Sequence, residues 1–213
     1  MASTDRLSNS GRVETFSDGV FAIAITLLVL DLRVPRDADS FISDLGAEWP
    51  SYLAFVAAFG VLGLIWLSHH DLFSRLEQAN SRLLVRNLLL LFLVTLYSFP
   101  TAILAASFRD GGTRTNQLFA IGIFTLNGVA MTLAWIYLVR VPRASPHLVV
   151  DPTEMGRYAK RQASFSVIAC ALLLIAFAAA FLSPYASIAL IVLLPLTNIA
   201  FYRGAQQVVP PTQ

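Results

Sequence analysis

An all-α integral membrane fold with six transmembrane helices is predicted by three observations: the bulk composition, the number of long apolar runs, and the charges that bound them. Apolar residues make up 56% of the 213 positions and charged residues only 13%. The mean hydropathy of +0.67 lies far from that of a chain with a water-facing surface. A bilayer core takes about 20 consecutive apolar residues per helix. A chain of this length therefore holds a handful of spans and no sizeable soluble or catalytic domain, so 1–213 is read as one transmembrane unit.

The polar start, 1–14, lacks the short apolar core and small-residue cleavage site of a signal peptide. The first apolar run, 15–34, therefore counts as a span. Further runs cover 48–68, 83–108, 117–139, 163–182 and 185–202, each bounded by charge or by Pro and Gly. Only Ser183 and Pro184 separate the last two, which predicts a tight antiparallel hairpin. Prolines and bases in 141–161 suit a polar connector rather than a folded module, and 204–213 reads as a tail. The lone Cys170, set in an apolar run, excludes an internal disulfide and a cysteine metal cluster.

Six spans place both ends of the chain on one side. Arg6, Arg12, Arg75, Arg82, Arg86, Arg140, Arg143, Arg157, Lys160, Arg161 and Arg203 fall there, eleven of the 15 Lys and Arg. The positive-inside rule makes that side cytoplasmic, as expected in an inner (plasma) membrane protein. Arg33, Arg36, Arg109 and Arg114 fall opposite, where Asp31, Asp37, Asp39, Asp44, Glu48 and Asp110 give six acids against four bases. An acidic outer mouth concentrates cations; solvated loop charge is the plainer alternative.

Ionisable residues near a span are costly and therefore functional candidates. Asp18 is the leading one, because Ser17, Asp18 and Gly19 interrupt the otherwise apolar first run near its cytoplasmic end. Two readings stand. Either Ser17 or Asp18 caps the helix start, or the pair bonds to neighbouring helices through Ser68, His69, His70, Arg86 or Asn87, predicted at about the same depth.

Beyond Asp18, Val20, Ile23, Leu27 and Leu30 recur at steps of three and four, a single helical stripe. Asp18 lies about 140° around the helix from Ile23 at 100° per residue, off that stripe. Gly19, Ala22 and Thr26 form a small-residue edge beside it. By itself such a stripe reads as ordinary packing or lipid contact.

The segment carrying Arg12, Phe16, Ser17 and Asp18, followed by Gly19 to Leu30, resembles the signature of the bacterial relatives of the lysosomal potassium channel called transmembrane protein 175. The six-span layout, Trp66 with His69 or His70 at the end of the second span, and the basic connector are similar as well. The resemblance implies a homotetramer in which the first helix of each subunit lines a central pore for potassium ions. It implies aliphatic rings at Ile23, Leu27 and Leu30 with a threonine layer at Thr26. Phe16, Ser17 and Asp18 would then face away from the pore and, with Arg12, His69, His70 and Asn87, anchor the helix. Potassium is expected as the permeant ion and no cofactor is expected; the partners are further copies of the chain and the bilayer.

No TVGYG filter occurs in the chain, so selectivity would have to come from the aliphatic constriction. A secondary transporter of a small solute or cation is the main alternative, since Pro100 and Pro195 interrupt the third and sixth runs at corresponding positions. Against it, no charge lies near the centre of any run. An enzyme is not expected: His69, His70 and Asp71 are adjacent and cannot face one another on a helix, and no HExxH or GxSxG motif is present. The dispersed bases fit membrane orientation and give no support to nucleic-acid binding. Trp49, Trp66 and Trp135 are expected at span ends as interfacial anchors.

Overall fold

The computed structural model describes residues 7–35, 39–109 and 112–206, with 196–206 as helix backbone only. Arg6, Arg36, Asp37 and Asp110 of the charge tally lie outside the described residues, as do 1–6 and 207–213 of the two chain ends.

Asn9 starts the first helix. Its side-chain oxygen accepts the Gly11 N–H at 2.8 Å, so helix α1, Ser10–Leu27, begins at Ser10 rather than at position 15. Ser17 and Asp18 consequently sit about two turns inside the helix, which overturns the reading of either as its cap. At its far end α1 tightens into a 3-10 turn, Leu28–Asp31.

A short helix, α2 (Phe41–Ala47), leads into α3 (Trp49–Phe73). Asn80 caps the next helix by accepting the Leu83 N–H at 2.9 Å. That span runs as α4 (Ser81–Leu96) and α5 (Ser98–Phe108). The break at Tyr97 follows from Pro100, which has no N–H for the Leu96 carbonyl and crowds it. Just past the break the Tyr97 carbonyl accepts both the Thr101 N–H at 3.3 Å and the Thr101 hydroxyl at 2.8 Å.

Helix α6 (Arg114–Ala144) returns across the bundle, followed by α7 (Pro152–Ala180) and α8 (Pro184–Gln206). The connector expected over 141–161 is therefore mostly helix. Pro142 is tolerated in the last turn of α6, Pro152 suits the first turn of α7, and Asp151 caps α7 through the Glu154 and Thr153 N–H groups at 3.2 and 2.7 Å. Those bonds hold the Asp151 carboxyl below its ordinary range.

Five stretches among the described residues are long and apolar enough to cross a bilayer: Ser10–Asp31, Trp49–Phe73, Ser81–Phe108, Arg114–Ala144 and Pro152–Ala180. The chain is thus a multi-pass membrane protein. The run expected over 185–202 falls in α8, which is 23 residues long and apolar over Pro184–Pro195; its far part is described as backbone only.

α1 rests on α3 and α4, while α6 packs between α4, α5 and α7, and α8 lies against α7 and α3. The last contact is close: a Cβ on Gly60 would stand 2.7 Å from the Pro195 Cβ, the small-residue approach usual between membrane helices. At the end holding the start of α1, three chain segments are stitched together. Strand β1 (Ser8–Asn9) pairs antiparallel with β2 (Gln78–Ala79). The adjoining turn then bonds the connector after α6, through Glu77 N–H to the Leu148 carbonyl at 2.9 Å and Val150 N–H to the Arg75 carbonyl at 3.1 Å.

Candidate functional site: the first helix and its buried anchor

Two faces of α1 differ sharply. The inward face carries Ser17, Phe21, Ala24 and Leu28, all buried, at steps of four, three and four. The outward face carries Phe16, Ile23, Leu27 and Leu30, with Ile23 61% and Leu30 73% exposed; Phe16, expected to face away from this stripe with Ser17 and Asp18, instead shares its side, since seven residues make about two turns. Gly19, Ala22 and Thr26 share that exposed side. Val20, expected on the stripe, is only partly exposed and packs against the core.

The inward face is held by a directed chain of hydrogen bonds. The Ser17 hydroxyl donates to the Val13 carbonyl at 2.8 Å, so its oxygen is left to accept, and it accepts the Asn87 side-chain N–H at 2.9 Å. Asn87 Oδ1 is then the acceptor for His69, 2.9 Å from Nε2, which puts the imidazole proton on Nε2. Ser17, Asn87 and His69 are each 1% exposed or less, and they tie α1 to α4 and α3. The His69 ring stacks on Phe73 with centroids 4.3 Å apart and tilts against Phe21 at 5.4 Å. Its Nδ1 has no hydrogen-bond partner among the described residues.

Asp18 makes a second tie. Its Oδ1 accepts the Trp66 indole N–H at 2.9 Å. Trp66 stacks on His70 at 6.1 Å, and His70 Nδ1 lies 2.9 Å from a Glu14 carboxylate oxygen. Asp18 thus reaches α3 directly at Trp66, and Ser17 reaches it one turn on at His69 through Asn87 of α4.

The structure brings together Ser17, His69 and Asn87, and separately Asp18 and His70 through Trp66. It leaves Arg12 and Phe16 out of both sets: they border an open groove between α1 and α4. Among the other partners considered for Asp18, Arg86 turns away to the Tyr137 carbonyl at 2.7 Å, and the Ser68 carbonyl accepts the Tyr158 hydroxyl at 2.9 Å. Trp66 and Trp135 are not at helix ends. Trp135 bonds Gln162 at 3.3 Å as Trp66 bonds Asp18, so both serve as interhelical donors. The spacing of Trp66 from His69 and His70, three and four residues along one helix, was the signal for the Trp66 role; Glu14 carried no comparable signal.

On the outward face, the Thr26 hydroxyl donates to the Ala22 and Ile23 carbonyls, each at 2.9 Å. With its hydrogen turned to the backbone, the oxygen lone pairs point away from it. The 3-10 turn changes the rotation per residue to about 120°, so Leu30 eclipses Leu27 more closely than an ideal α-helix would place it.

The stretch 12–97 matches the family model described as endosomal/lysosomal potassium channel TMEM175. The chain is 35% identical over 197 residues to a potassium channel of Chamaesiphon minutus, covering 88% of this chain and 92% of that protein. The chain belongs to the TMEM175 family. It is also 45% identical over 141 residues to a potassium channel of Streptomyces collinus, a match spanning 63% of this chain and 66% of that relative's length. A crystal structure of a lysosomal potassium-selective channel TMEM175 homolog from Chamaesiphon minutus superposes with a TM-score of 0.73 at 34% identity, covering 90% of this chain and 96% of that one. The TMEM175 match contains both faces of α1 and both sets of anchoring partners, and it places the chain in a family of channels rather than enzymes.

Proposed function

We propose that this chain is the subunit of a homotetrameric potassium-selective channel of the plasma membrane, with both termini cytoplasmic and α1 of each copy lining a central pore. The observation that carries this reading is the pairing of faces on α1. One face is locked to α3 and α4 by buried polar bonds, which leaves Ile23, Leu27 and Leu30 uncovered on the other. A stripe of one copy encloses nothing, so a path along it needs symmetry mates. The potassium-channel relatives and the base-rich end at which α1 starts support the ion and the orientation.

In this reading the ring of Ile23 side chains forms a hydrophobic constriction with no ligands to replace hydration water, so the ion that sheds water at lower cost crosses more readily. Potassium does so more readily than sodium. Thr26 oxygens, with lone pairs free, offset part of the dehydration cost beside the ring. Leu27 and Leu30 extend the narrow path outward. Ser17, Asp18, His69, His70 and Asn87 act by holding the helix, while Arg12 and Phe16 border the groove beside α4 and bond to none of them.

The test is the reversal potential of the purified protein in planar bilayers, with potassium on one side and sodium on the other. Wild type should reverse toward the potassium equilibrium potential, and Ile23→Asn should raise conductance and move reversal toward zero. Unchanged conductance and preference in Ile23→Asn would remove the assignment of the constriction. Solute-dependent flux in liposomes without a stable current would favour the transporter.

A further inference from the structure

We propose that the seam between α6 and α7 is a binding site for one anionic phospholipid, with its phosphate at Arg140 and Arg143 and an acyl chain in the apolar cleft behind Trp135. Two clefts meet there, sharing Trp135 and Ser166 in their walls. The deeper one lies between α3, α6 and α7 and is apolar, reaching Gly128 and Leu173. The shallower one opens at the base-rich end and is lined by Arg140 and Arg143.

Four features select this occupant. Arg140 and Arg143 are exposed and make no ion pair among the described residues, and no acidic residue lines either cleft. Two unpaired guanidiniums at a membrane edge recognise a phosphate headgroup. At the junction, Ser166 is 2% exposed and its hydroxyl has no hydrogen-bond partner among the described residues, an unusual state for a buried donor. It stands between headgroup and chain, where the ester carbonyls of a glycerolipid would accept from it. The depth also fits: Arg140 to Gly128 spans about 18 Å at 1.5 Å per residue, about one leaflet of a bilayer core some 30 Å thick. Finally, the base-rich end faces the leaflet whose anionic lipids attract such bases.

α7 packs on α6 and α8 whereas α1 packs on α3 and α4, so the seam is separate from the outward face of α1. The site does not depend on ion conduction and is tested without it. The full-length protein is delipidated in detergent and exposed to equal phosphatidylglycerol and phosphatidylcholine, and retained lipid is counted by native mass spectrometry. Wild type should keep about one phosphatidylglycerol per chain. Arg140→Gln with Arg143→Gln should lose preference for it by about thirtyfold, taking the usual contribution of a base near an anionic surface, whereas Arg82→Gln should keep it. Ala169→Phe, which fills the deep cleft while leaving both arginines, should lose the lipid as well. Equal retention of both lipids by wild type, or full retention of phosphatidylglycerol by the double arginine variant, would overturn the proposal. Retention by Ala169→Phe would overturn the acyl-chain half of it. Elution of each variant at the wild-type position on size exclusion identifies those that remain folded, and Ser166→Ala, which removes only the hydroxyl, serves as the mild variant expected to retain less lipid while keeping the preference for phosphatidylglycerol.

Discussion

Over 10–21, α1 is tied to its neighbours by side-chain hydrogen bonds from Ser17, Asp18 and Glu14; over 22–31 it is seated by the buried side chains of Ala24 and Leu28. Apolar contact is non-directional and within a bilayer rests on dispersion between packed side chains, so it tolerates rotation of the helix about its axis. A bond from Asn87 to Ser17 at 2.9 Å does not. The lower half therefore determines which residues of the upper half look outward, although the two share no side chain.

The difference is broken most strongly in the upper half. Leu28, 1% exposed, fills a core position, and Leu28→Ala should cost about 3 kcal/mol through lost contact and a residual cavity. Thermal unfolding in detergent measures this directly. Because the bonds below Leu28 survive, the folded fraction should keep wild-type ion preference in bilayers. A large change in preference with a small loss of stability would show that packing, not bonding, orients the helix.

Asn87→Leu tests the opposite half. It removes the donor to Ser17 and the acceptor for His69, leaving a buried imidazole whose Nδ1 already lacks a partner without any side-chain bond. An orphaned buried group costs about 2 kcal/mol, less than the Leu28 cavity. Its effect on conduction should nevertheless be the greater, with unstable openings and, in the proposed assembly, weakened self-association on size exclusion. Wild-type gating from a stable Asn87→Leu variant would disconnect the anchor from the outward face of α1.

These two halves were unequally legible in the sequence. The aliphatic stripe and the wheel angle of Asp18 follow from helical period alone, and the uncovered side chains of Ile23, Leu27 and Leu30 lie where that period puts them. Ser17, His69 and Asn87 were nameable as partners because polar residues at equal depth in apolar runs need one another. What escaped was fixed by single local groups. Asn9 moved the helix start, so Ser17 and Asp18 lost their reading as caps. Trp66 looked like an interfacial anchor until a carboxylate one helix away took its N–H. The pairing of β1 with β2 rests on two residues per strand, too short for any alternation to show. Prolines in 141–161 suggested a loop, yet both flanking prolines occupy helix ends that tolerate them.

The smallest effect should come from Asp18→Asn, and it separates charge from geometry within the anchor. The asparagine oxygen can still accept the Trp66 indole N–H, so the direction of the bond is kept while its charge assistance is lost. A charge-assisted bond exceeds a neutral one by about 1 kcal/mol, and partial exposure of Asp18 reduces this further. Asp18→Asn should thus lower the unfolding temperature slightly and shift gating more than reversal potential. Trp66→Phe, which keeps the ring stack on His70 but has no N–H to give, should be worse than Asp18→Asn if the bond's direction orients α1. Equal or milder behaviour of Trp66→Phe would mean that the carboxylate charge, rather than the bond it accepts, is what the first helix requires at position 18.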